Sequence, residues 1–333
     1  MAEHEIRASP GTVHWGHLDA ALAPVLTIDP GDTLVVRTVS GGPDETPADG
    51  SGFTVDPALR AIHATVAPEL GPHILTGPVA VRGARPGDAL RISILDMRLA
   101  DDWGFNLIKP GLGALPERFP GGRVIHLPID RGAGLVRTPW GIDLPARPFF
   151  GVIGTAPGPA EGRVTSVVPG RFGGNIDNRE LTAGSVLTLP VAVEGALLSV
   201  GDGHAVQGDG EVCLTAVETG LTGRLQVDLV EGAAPEAPFA QTPTHLIAMA
   251  FDPDLDRAAA LALSRLIDLI AARTTLSPED AYRLCSLAAD LRVTQVVNRA
   301  KGVHAMIALD LLAQARAREG GSRHGERARG GDW

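Results

Sequence analysis

The chain of 333 residues is 44% hydrophobic and 20% charged, which excludes an intrinsically disordered protein. Its net charge of -10, with no basic run before the far C-terminus, argues against a nucleic-acid partner. The 41 glycines and 26 prolines favour many short elements joined by tight turns over long helices.

The first predicted elements are strands joined by Pro-Gly turns. Residues 29–32 (Asp-Pro-Gly-Asp) separate two apolar runs, and residues 85–88 (Arg-Pro-Gly-Asp) separate two more. Proline presets the first central backbone angle of such a turn, and glycine accepts the positive φ that follows. Residues 182–189 lack the proline but keep Gly184 before an apolar run. We therefore predict a β-rich body.

A Pro-rich hinge at residues 233–243 marks a change of pattern. Residues 252–254 (Asp-Pro-Asp) are a helix start, and the apolar residues that follow recur at helical spacing, which predicts a helix over residues 254–273. Arg265 and Asp268 interrupt its apolar face, so we expect a packed amphipathic helix and no membrane span.

A second helix is predicted from Ser277 to near Asp290, because Pro278 presets its first turn. Residues 293–297 alternate like a strand, and residues 305–312 predict a last helix. The predicted organisation is a β-rich body that carries the site (1–235), a helical or α+β C-terminal part (236–315) and a disordered tail (316–333).

The cysteine content and the N-terminus bear on the cellular compartment. Cys213 and Cys285 are too few for a disulfide framework, which suits a reducing environment. Residues 1–10 carry charges where a secretion signal needs an apolar run. We therefore expect a cytoplasmic protein.

The densest polar cluster is residues 201–211, Gly-Asp-Gly-His-Ala-Val-Gln-Gly-Asp-Gly-Glu, which directly follows an apolar run. Asp202 and His204 are two residues apart, so on an extended chain both point to one face and can ligate one zinc-like divalent ion. Asp209 and Glu211 repeat the spacing, and a carboxylate beside a metal-bound water can act as general base. Glu211 is the candidate base. The alternative is turn chemistry alone, since tight turns also favour Asp-Gly pairs.

Three further residues are candidates with open alternatives. Asp177 could ligate a metal or orient His204, or it could cap a turn. His73 lies in a turn-rich segment, where a lone histidine is usually structural. Cys213 could be a nucleophile with Glu211 as its base, although a lone thiol among apolar residues is more often a core side chain.

Several motifs together resemble a known family. They are His73-x-x-Thr76-Gly77-Pro78, Pro86-Gly87-Asp88, Trp103-Gly104, Gly174-Asn175-x-Asp177 and, most specifically, Gly201-Asp202-x-His204-Ala205-x-Gln207-Gly208-Asp209-Gly210-Glu211. These motifs resemble the acetamidase/formamidase family, and the likeness continues through residues 287–297 and 301–305. It leaves only the extreme N-terminus and the tail uncovered.

The resemblance implies a mainly β, sandwich-like fold with helices toward the C-terminus. It also implies a cytoplasmic homo-oligomer that hydrolyses a short amide, such as formamide or acetamide, to a carboxylate and ammonia with a divalent metal, zinc being the candidate. The implied site comprises metal ligands Asp177, Asp202 and His204, catalytic residues Glu211, Asp209 and His204, and substrate-binding residues His73, Trp103 and Gln207. Gly203 replaces an expected bulkier residue, which bears on pocket shape. A non-catalytic metal-binding or ligand-binding β domain is the alternative from another class.

Overall fold

Strands dominate the computed structural model, which describes residues 1–317. The first strands are β1 (Glu3–Arg7), β2 (Val13–Trp15), β3 (His17–Leu18), β4 (Leu26–Ile28), β5 (Asp32–Arg37), β6 (Ile74–Val81), β7 (Ala89–Leu99) and β8 (Trp103–Ile108). Next come β9 (Arg123–Asp130), β10 (Leu135–Arg137), β11 (Asp143–Pro145), β12 (Phe149–Gly154), β13 (Val164–Thr165), β14 (Gly173–Asn175), β15 (Val186–Pro190) and β16 (Leu198–His204). The last are β17 (Leu221–Val230), β18 (Phe239–Gln241), β19 (His245–Asp252), β20 (Ala289–Gln295) and β21 (Lys301–Ala308). The helices are α1 (Pro57–Thr65), α2 (Leu255–Arg273), α3 (Pro278–Ala288) and α4 (Leu309–Ala317).

Two large sheets form the body of the protein. The larger sheet has nine strands in the order β1-β5-β17-β7-β15-β18-β19-β21-β20, and the second has the order β14-β12-β16-β6-β2 with β4 paired to β6. Smaller sheets, β11-β10-β9-β8 and β13-β3, flank them. Leu34 and Ile92 of the nine-stranded sheet share one buried cluster with Ile153 and Val200 of the second sheet. The two sheets therefore pack face to face, which confirms the mainly β, sandwich-like prediction.

The Pro-Gly turns carry the chain from one sheet to the other. Gly31 and Gly87 have φ values of 87° and 99°, and in each turn the fourth residue donates a backbone hydrogen bond to the first, at 3.1 Å. The strands before the turns, β4 and β6, belong to the second sheet, whereas β5 and β7 belong to the nine-stranded sheet. The predicted turns are confirmed, and they connect the two layers of the sandwich.

The C-terminal part extends the nine-stranded sheet and covers one of its faces. β18 pairs with β15 of the body, so β19, β21 and β20 continue the same sheet. α2 packs on β19 and β21, and α3 packs on α2, β20 and β21. Leu266, Ile270 and Cys285 belong to the buried cluster that these elements share. Both helices begin as predicted, with Asp254 and Ser277 as their N-caps.

The helix predicted over residues 305–312 begins four residues later than expected, at Leu309. Residues up to Ala308 form strand β21, which lies between β19 and β20 with most of its side chains buried, and helix α4 begins at Leu309. A short apolar run that is buried on both faces has the same pattern in a strand and in a helix. Helix α4 continues through Ala317, beyond the predicted end of order at residue 315. The rest of the predicted disordered tail lies outside the described residues.

Candidate active site

The end of strand β16 carries the first two residues of the site. Every residue of β16 is buried, and the strand pairs with β12, so that Phe149 lies opposite His204. The His204 ring meets the edge of Phe149 at 4.9 Å between centroids, and its backbone forms a bridge to Glu218. Asp202 and His204 point into one cluster, as the two-residue spacing predicts, with 3.3 Å between Asp202 Oδ2 and His204 Nε2.

Two loops bring further acidic side chains to the same point. Asp177 follows β14 and donates its backbone N–H to the carbonyl of Gly151 on β12. Glu211 lies at the end of a turn. The adjacent Gly210 donates its backbone N–H to Thr294 O and accepts from the N–H of Val296, which fixes the turn to the end of β20. Segments that are far apart in the chain therefore meet around His204.

Three of these acidic residues have strained backbones. Asp177, Asp202 and Glu211 have φ values of 51°, 55° and 46°, which lie in the left-handed region that non-glycine residues rarely adopt. Such strain persists where the surrounding structure enforces it, and it concentrates at functional sites. The fold holds these side chains in directions that a relaxed backbone would not give them.

Four carboxylates surround the Nε2 atom of His204. The nearest are Glu218 Oε2 at 3.2 Å and Asp202 Oδ2 at 3.3 Å, followed by Asp177 Oδ1 at 3.8 Å and Glu211 Oε1 at 4.0 Å. All five residues are buried, with His204 completely inaccessible. This much negative charge in a desolvated space requires a compensating positive charge.

The hydrogen bonds of Gln207 set the tautomer of His204. The Gln207 side-chain nitrogen donates to the carbonyls of Asp177 and Thr294, so its oxygen faces His204 Nδ1 at 2.8 Å. Nδ1 must then carry the hydrogen and donate it to Gln207. In the neutral ring this leaves the lone pair of Nε2 directed at the carboxylates, as in metal-ligating histidines.

The donor atoms of the cluster fit a divalent cation. His204 Nε2, Asp177 Oδ1, Glu211 Oε2 and Glu218 Oε2 are all buried without a hydrogen-bond partner in the described part of the chain. Two triads have donor atoms within 4.8 Å of one another: Asp177, His204 and Glu211, and Asp202, His204 and Glu218. Carboxylate oxygen with imidazole nitrogen is a donor set that zinc accepts.

Gly151 leaves the space at the centre of the cluster open. A Cβ atom on this residue would lie 2.5 Å from both Asp177 Oδ1 and Asp202 Oδ2, and 3.0 Å from His204 Cε1. No side chain larger than hydrogen fits there without displacing the carboxylates. The cluster therefore surrounds a space that this glycine keeps free.

The pKa values of the cluster reflect crowding and burial. Burial and the neighbouring Asp177 raise the pKa of Glu211 well above its ordinary value. Burial also raises the pKa of Glu218, to about 8, with His204 opposing the rise and Asp202 adding to it. Burial likewise raises the pKa of Asp177. Burial and mutual repulsion thus disfavour the charged forms of these three carboxyl groups, and a cation in the cluster would offset both effects.

His204 and Asp202 shift in the direction of their charged forms. Burial alone would lower the pKa of His204, but Glu218 and Asp202 outweigh it and raise that pKa well above the ordinary value. Burial opposes ionisation of Asp202, yet His73 and His204 lower its pKa. The carboxylates thus favour a positive charge at Nε2, which a proton or a metal ion can supply.

A cavity of about 390 Å³ opens onto the cluster. Asp177, Asp202, Glu211 and Glu218 line its floor, and His73 lies beside them. The Nε2 atom of His73 is 3.7 Å from Asp202 Oδ2, and its Nδ1 atom contacts Ser166. A small molecule in this cavity can reach the carboxylates, while His204 stays behind them.

The structure places several predicted site residues away from the cavity. Asp209 turns toward Arg179 and Arg292, each 3.7 Å from it, so its charge is balanced outside the cluster. Trp103 is a core side chain that donates to Thr54 O, and Gln207 lies behind His204, where it orients the ring. Neither Trp103 nor Gln207 lines the cavity, although both were expected to bind substrate.

Cys213 and Gly203 also lie apart from the cavity. Cys213 Sγ is 3.2 Å from the side-chain nitrogen of Asn106 and is absent from the cavity wall. A Cβ on Gly203 would meet Thr219 O and Leu221, on the core side of the strand. The glycine between Asp202 and His204 therefore allows strand packing and does not shape the pocket.

Two residues of the cluster were missed by the sequence reasoning. Glu218 is the carboxylate closest to His204, and Asn298 donates to Asp177 Oδ2. Glu218 stands alone as a charged residue in the buried run from Ala216 to Leu221. The signal available in the sequence was a single charged residue among the uncharged residues 216–221.

The four helices within residues 1–317 are all too short or too polar to cross a membrane.

Comparisons with known proteins converge on one family. The sequence model of the acetamidase/formamidase family matches residues 21–161 and 159–311. Formamidase from Methylophilus methylotrophus is 31% identical where it aligns, over 42% of this chain and 47% of that protein. Acetamidase from Mycolicibacterium smegmatis is 29% identical, over 48% of this chain and 54% of that protein. The chain thus spans about half the length of the curated relatives that it matches.

Solved structures share the whole fold. The acetamidase from Bacillus halodurans superposes with a TM-score of 0.80 and 33% identity, covering 93% of this chain and 99% of that one. The acetamidase from Yersinia enterocolitica also has a TM-score of 0.80, with 26% identity and coverage of 94% and 93%. Since the family match extends over most of the described residues and the architecture agrees, this chain belongs to the acetamidase/formamidase family.

Proposed function

We propose that the protein hydrolyses a linear amide to a carboxylate and ammonia with a metal-activated water and a carboxylate general base. The observation that carries the proposal is the convergence of four carboxylates on the unpartnered Nε2 of His204, at the floor of a cavity. Membership in the acetamidase/formamidase family supports the same reaction.

Amide hydrolysis sets three chemical requirements. The carbonyl must be polarised, a strong nucleophile must exist at neutral pH, and the departing nitrogen must gain a proton. A bound divalent ion, with zinc as the candidate, would supply the polarisation and the acidified water. Asp177, Asp202 and His204 are the proposed ligands, because Asp177 Oδ1 and Asp202 Oδ2 border the space beside Gly151 and lie 3.8 and 3.3 Å from His204 Nε2.

Glu211 is the proposed general base. Its carboxylate receives no hydrogen bond from residues 1–317, and it lines the cavity. Its raised pKa lets it accept a proton from the attacking water and return that proton to the leaving nitrogen. Glu218 also lines the cavity, but its Oε1 atom is held by the backbone N–H of Ala216. His73 stays the proposed substrate-binding residue at the wall.

Gln207 is proposed to act on His204 and not on substrate. Its side chain holds the Nδ1–H of His204, so that Nε2 points into the cluster. Its other hydrogen bonds, to Asp177 O and Thr294 O, tie the ring to the two segments that flank it. Gln207 is therefore a positioning residue for the proposed ligand.

Two alternatives make different predictions. The thiol route needs Cys213 as nucleophile, yet its sulfur faces Asn106 outside the cavity wall. The non-catalytic alternative predicts metal or ligand binding without turnover. A cytoplasmic location and a homo-oligomer rest on the family resemblance, and light scattering on the purified protein tests the second.

Ammonia release from a panel of amides, with elemental analysis of the same sample, tests the proposal. We expect turnover that exhaustive chelation abolishes and that re-added zinc restores, and normal turnover in Cys213→Ser. Turnover that survives chelation but not Cys213→Ser would favour the thiol route. The absence of ammonia from every amide, with or without zinc, would favour the non-catalytic alternative.

A further inference from the structure

The size of the cavity above the acidic cluster exceeds the size of the short amides that the family name suggests. At about 30 Å³ per water-sized atom, acetamide would fill roughly 120 Å³. The cavity measures about 390 Å³, which is within the range of sites for larger organic ligands. Most of its volume would stay empty around acetamide.

The cavity wall above the cluster is mainly apolar. It is lined by Leu70, Pro72, Phe105, Leu107, Leu112 and Leu214. Phe105 is buried, whereas Leu70 and Leu112 are about half exposed at the opening. An apolar wall of this kind gains affinity by burying hydrocarbon, which acetamide provides only as one methyl group.

Two cations stand where the cavity meets solvent. Lys109 and Arg299 are exposed residues of the wall, and neither makes an ion pair with any residue from 1 to 317. Glu45, the other charged residue of the upper wall, is held by the backbone N–H of Gly42 at 2.7 Å. Because neither cation is already paired with a carboxylate of residues 1–317, both can bind the carboxylate of a ligand at the opening.

We propose that the substrate is an amide whose apolar acyl chain ends in a carboxylate, with the amide at the acidic cluster and the carboxylate at Lys109 and Arg299. The inference rests on the proposed amide hydrolysis and narrows its substrate class. In the reaction, water oxygen bonds to the amide carbon, the C–N bond breaks, and the nitrogen leaves as ammonia, so a dicarboxylate is the product.

The test compares acetamide, hexanamide and adipic acid monoamide as substrates of the purified protein. We expect kcat/KM for hexanamide to exceed that for acetamide by at least about 10-fold, since each buried methylene contributes to selectivity. The kcat/KM for adipic acid monoamide should exceed that for hexanamide by about 10-fold, because each exposed cation is expected to contribute about 3-fold. Equal or higher kcat/KM for acetamide would overturn the inference while leaving amide hydrolysis intact.

Paired variants separate the two parts of the inference. Leu112→Trp narrows the opening and should lower the ratio of hexanamide to acetamide kcat/KM, whereas Leu115→Trp, on the same loop but outside the wall, should leave that ratio unchanged. Lys109→Gln and Arg299→Gln should lower the ratio of adipic acid monoamide to hexanamide, mainly through KM. Lys301→Gln, which removes the only other lysine, is the control.

Calorimetric binding of adipate gives a readout that does not depend on turnover. Binding that weakens about 10-fold in the doubly substituted Lys109→Gln, Arg299→Gln protein supports the carboxylate site at these two cations. If no amide is hydrolysed, this result separates failure of the proposed reaction from failure of the carboxylate site. The carboxylate site is contradicted if the wild type does not bind adipate, or if the doubly substituted protein binds it as tightly as the wild type does.

Discussion

Two buried histidines in this protein have opposite properties. His204 at the end of β16 and His304 on β21 are both completely inaccessible. Thr294 of β20 lies between them in the hydrogen-bond network: its hydroxyl contacts His304 Nδ1, and its carbonyl accepts from Gln207, which holds His204. Burial, with Arg292 and Arg179 nearby, lowers the pKa of His304 to about 3. The pKa of His204 is raised, because its surrounding carboxylates outweigh its burial.

His304 is a histidine packed in the core, whereas His204 is a histidine whose ring faces carboxylates. Burial alone keeps an imidazole neutral, so a buried histidine by itself is not evidence of a site. Glu218 and Asp202 beside His204 cause the difference, and together with Asp177 and Glu211 they make the region suited to a cation. Variants that change one region and leave the other intact test this explanation.

The largest expected effect is that of Glu211→Gln. Removing the proposed base should lower turnover about 10³-fold while bound metal is retained, because the three proposed ligands remain. Asp209→Asn is the matched control in the same motif, since Asp209 faces Arg179 and Arg292. Ammonia release and elemental analysis measure both properties. A loss as large in Asp209→Asn as in Glu211→Gln would contradict the assignment.

The next largest effect is expected from Gly151→Ala. The added methyl group would lie 2.5 Å from two carboxylate oxygens, so these must move by about 1 Å, and we expect turnover to fall about 100-fold. Metal content should fall with it. Gly121→Ala, where a Cβ meets nothing within 4 Å, serves as the control. Unchanged turnover in Gly151→Ala would mean that the space beside this glycine has no role in the reaction.

Gln207→Leu should have a smaller effect on the same properties. Losing the acceptor for Nδ1–H frees the His204 ring to rotate and to change tautomer, which we expect to weaken metal binding about 10-fold. Titration of the metal-free protein with zinc measures this affinity. Gln226→Leu, on β17 and away from the cluster, controls for loss of a glutamine. Equal affinities in the two variants would remove the positioning role.

The smallest effect concerns His304 and the pH dependence of stability. Its folded pKa of about 3 lies below the unfolded value of 6.5, so the unfolded state binds more protons as the pH falls between them. The free energy of unfolding should therefore drop by about 2 kcal/mol from pH 6.5 to pH 5 on account of this residue. Denaturant unfolding at both pH values should show a smaller drop in His304→Gln than in the wild type. His245→Gln, at a partly exposed histidine, should retain the full drop.

Much of the fold could be predicted from local patterns. The Pro-Gly turns, the strands that flank them and the capped starts of α2 and α3 depend on neighbouring residues, and they were predicted correctly. β21 was not, because its apolar run is buried on both faces between β19 and β20. Only the sheet order, which is set by distant pairings, distinguishes such a strand from a helix.

The directions of the site side chains could be predicted from the sequence where the chain is extended, but not where it turns. Asp202 and His204 lie on one strand, so their spacing set their common direction. Glu218 approaches His204 through a bridge between separate segments, which no local spacing reveals. Asp209 points toward Arg179 and Arg292 and not into the cluster, because a tight turn, and not strand alternation, sets side-chain directions between Gln207 and Glu211. Long-range packing thus determined what the motif could not.

The metal content of the wild type and of His204→Ala, purified side by side, tests the central claim most directly. The claim is that the carboxylates around Nε2 hold a divalent ion with this imidazole as a ligand. Elemental analysis should find about one equivalent or more in the wild type and less than about a tenth of that in the variant, with both proteins folded by circular dichroism. Equal metal content in the two proteins, or none in a wild type given zinc, would contradict the account.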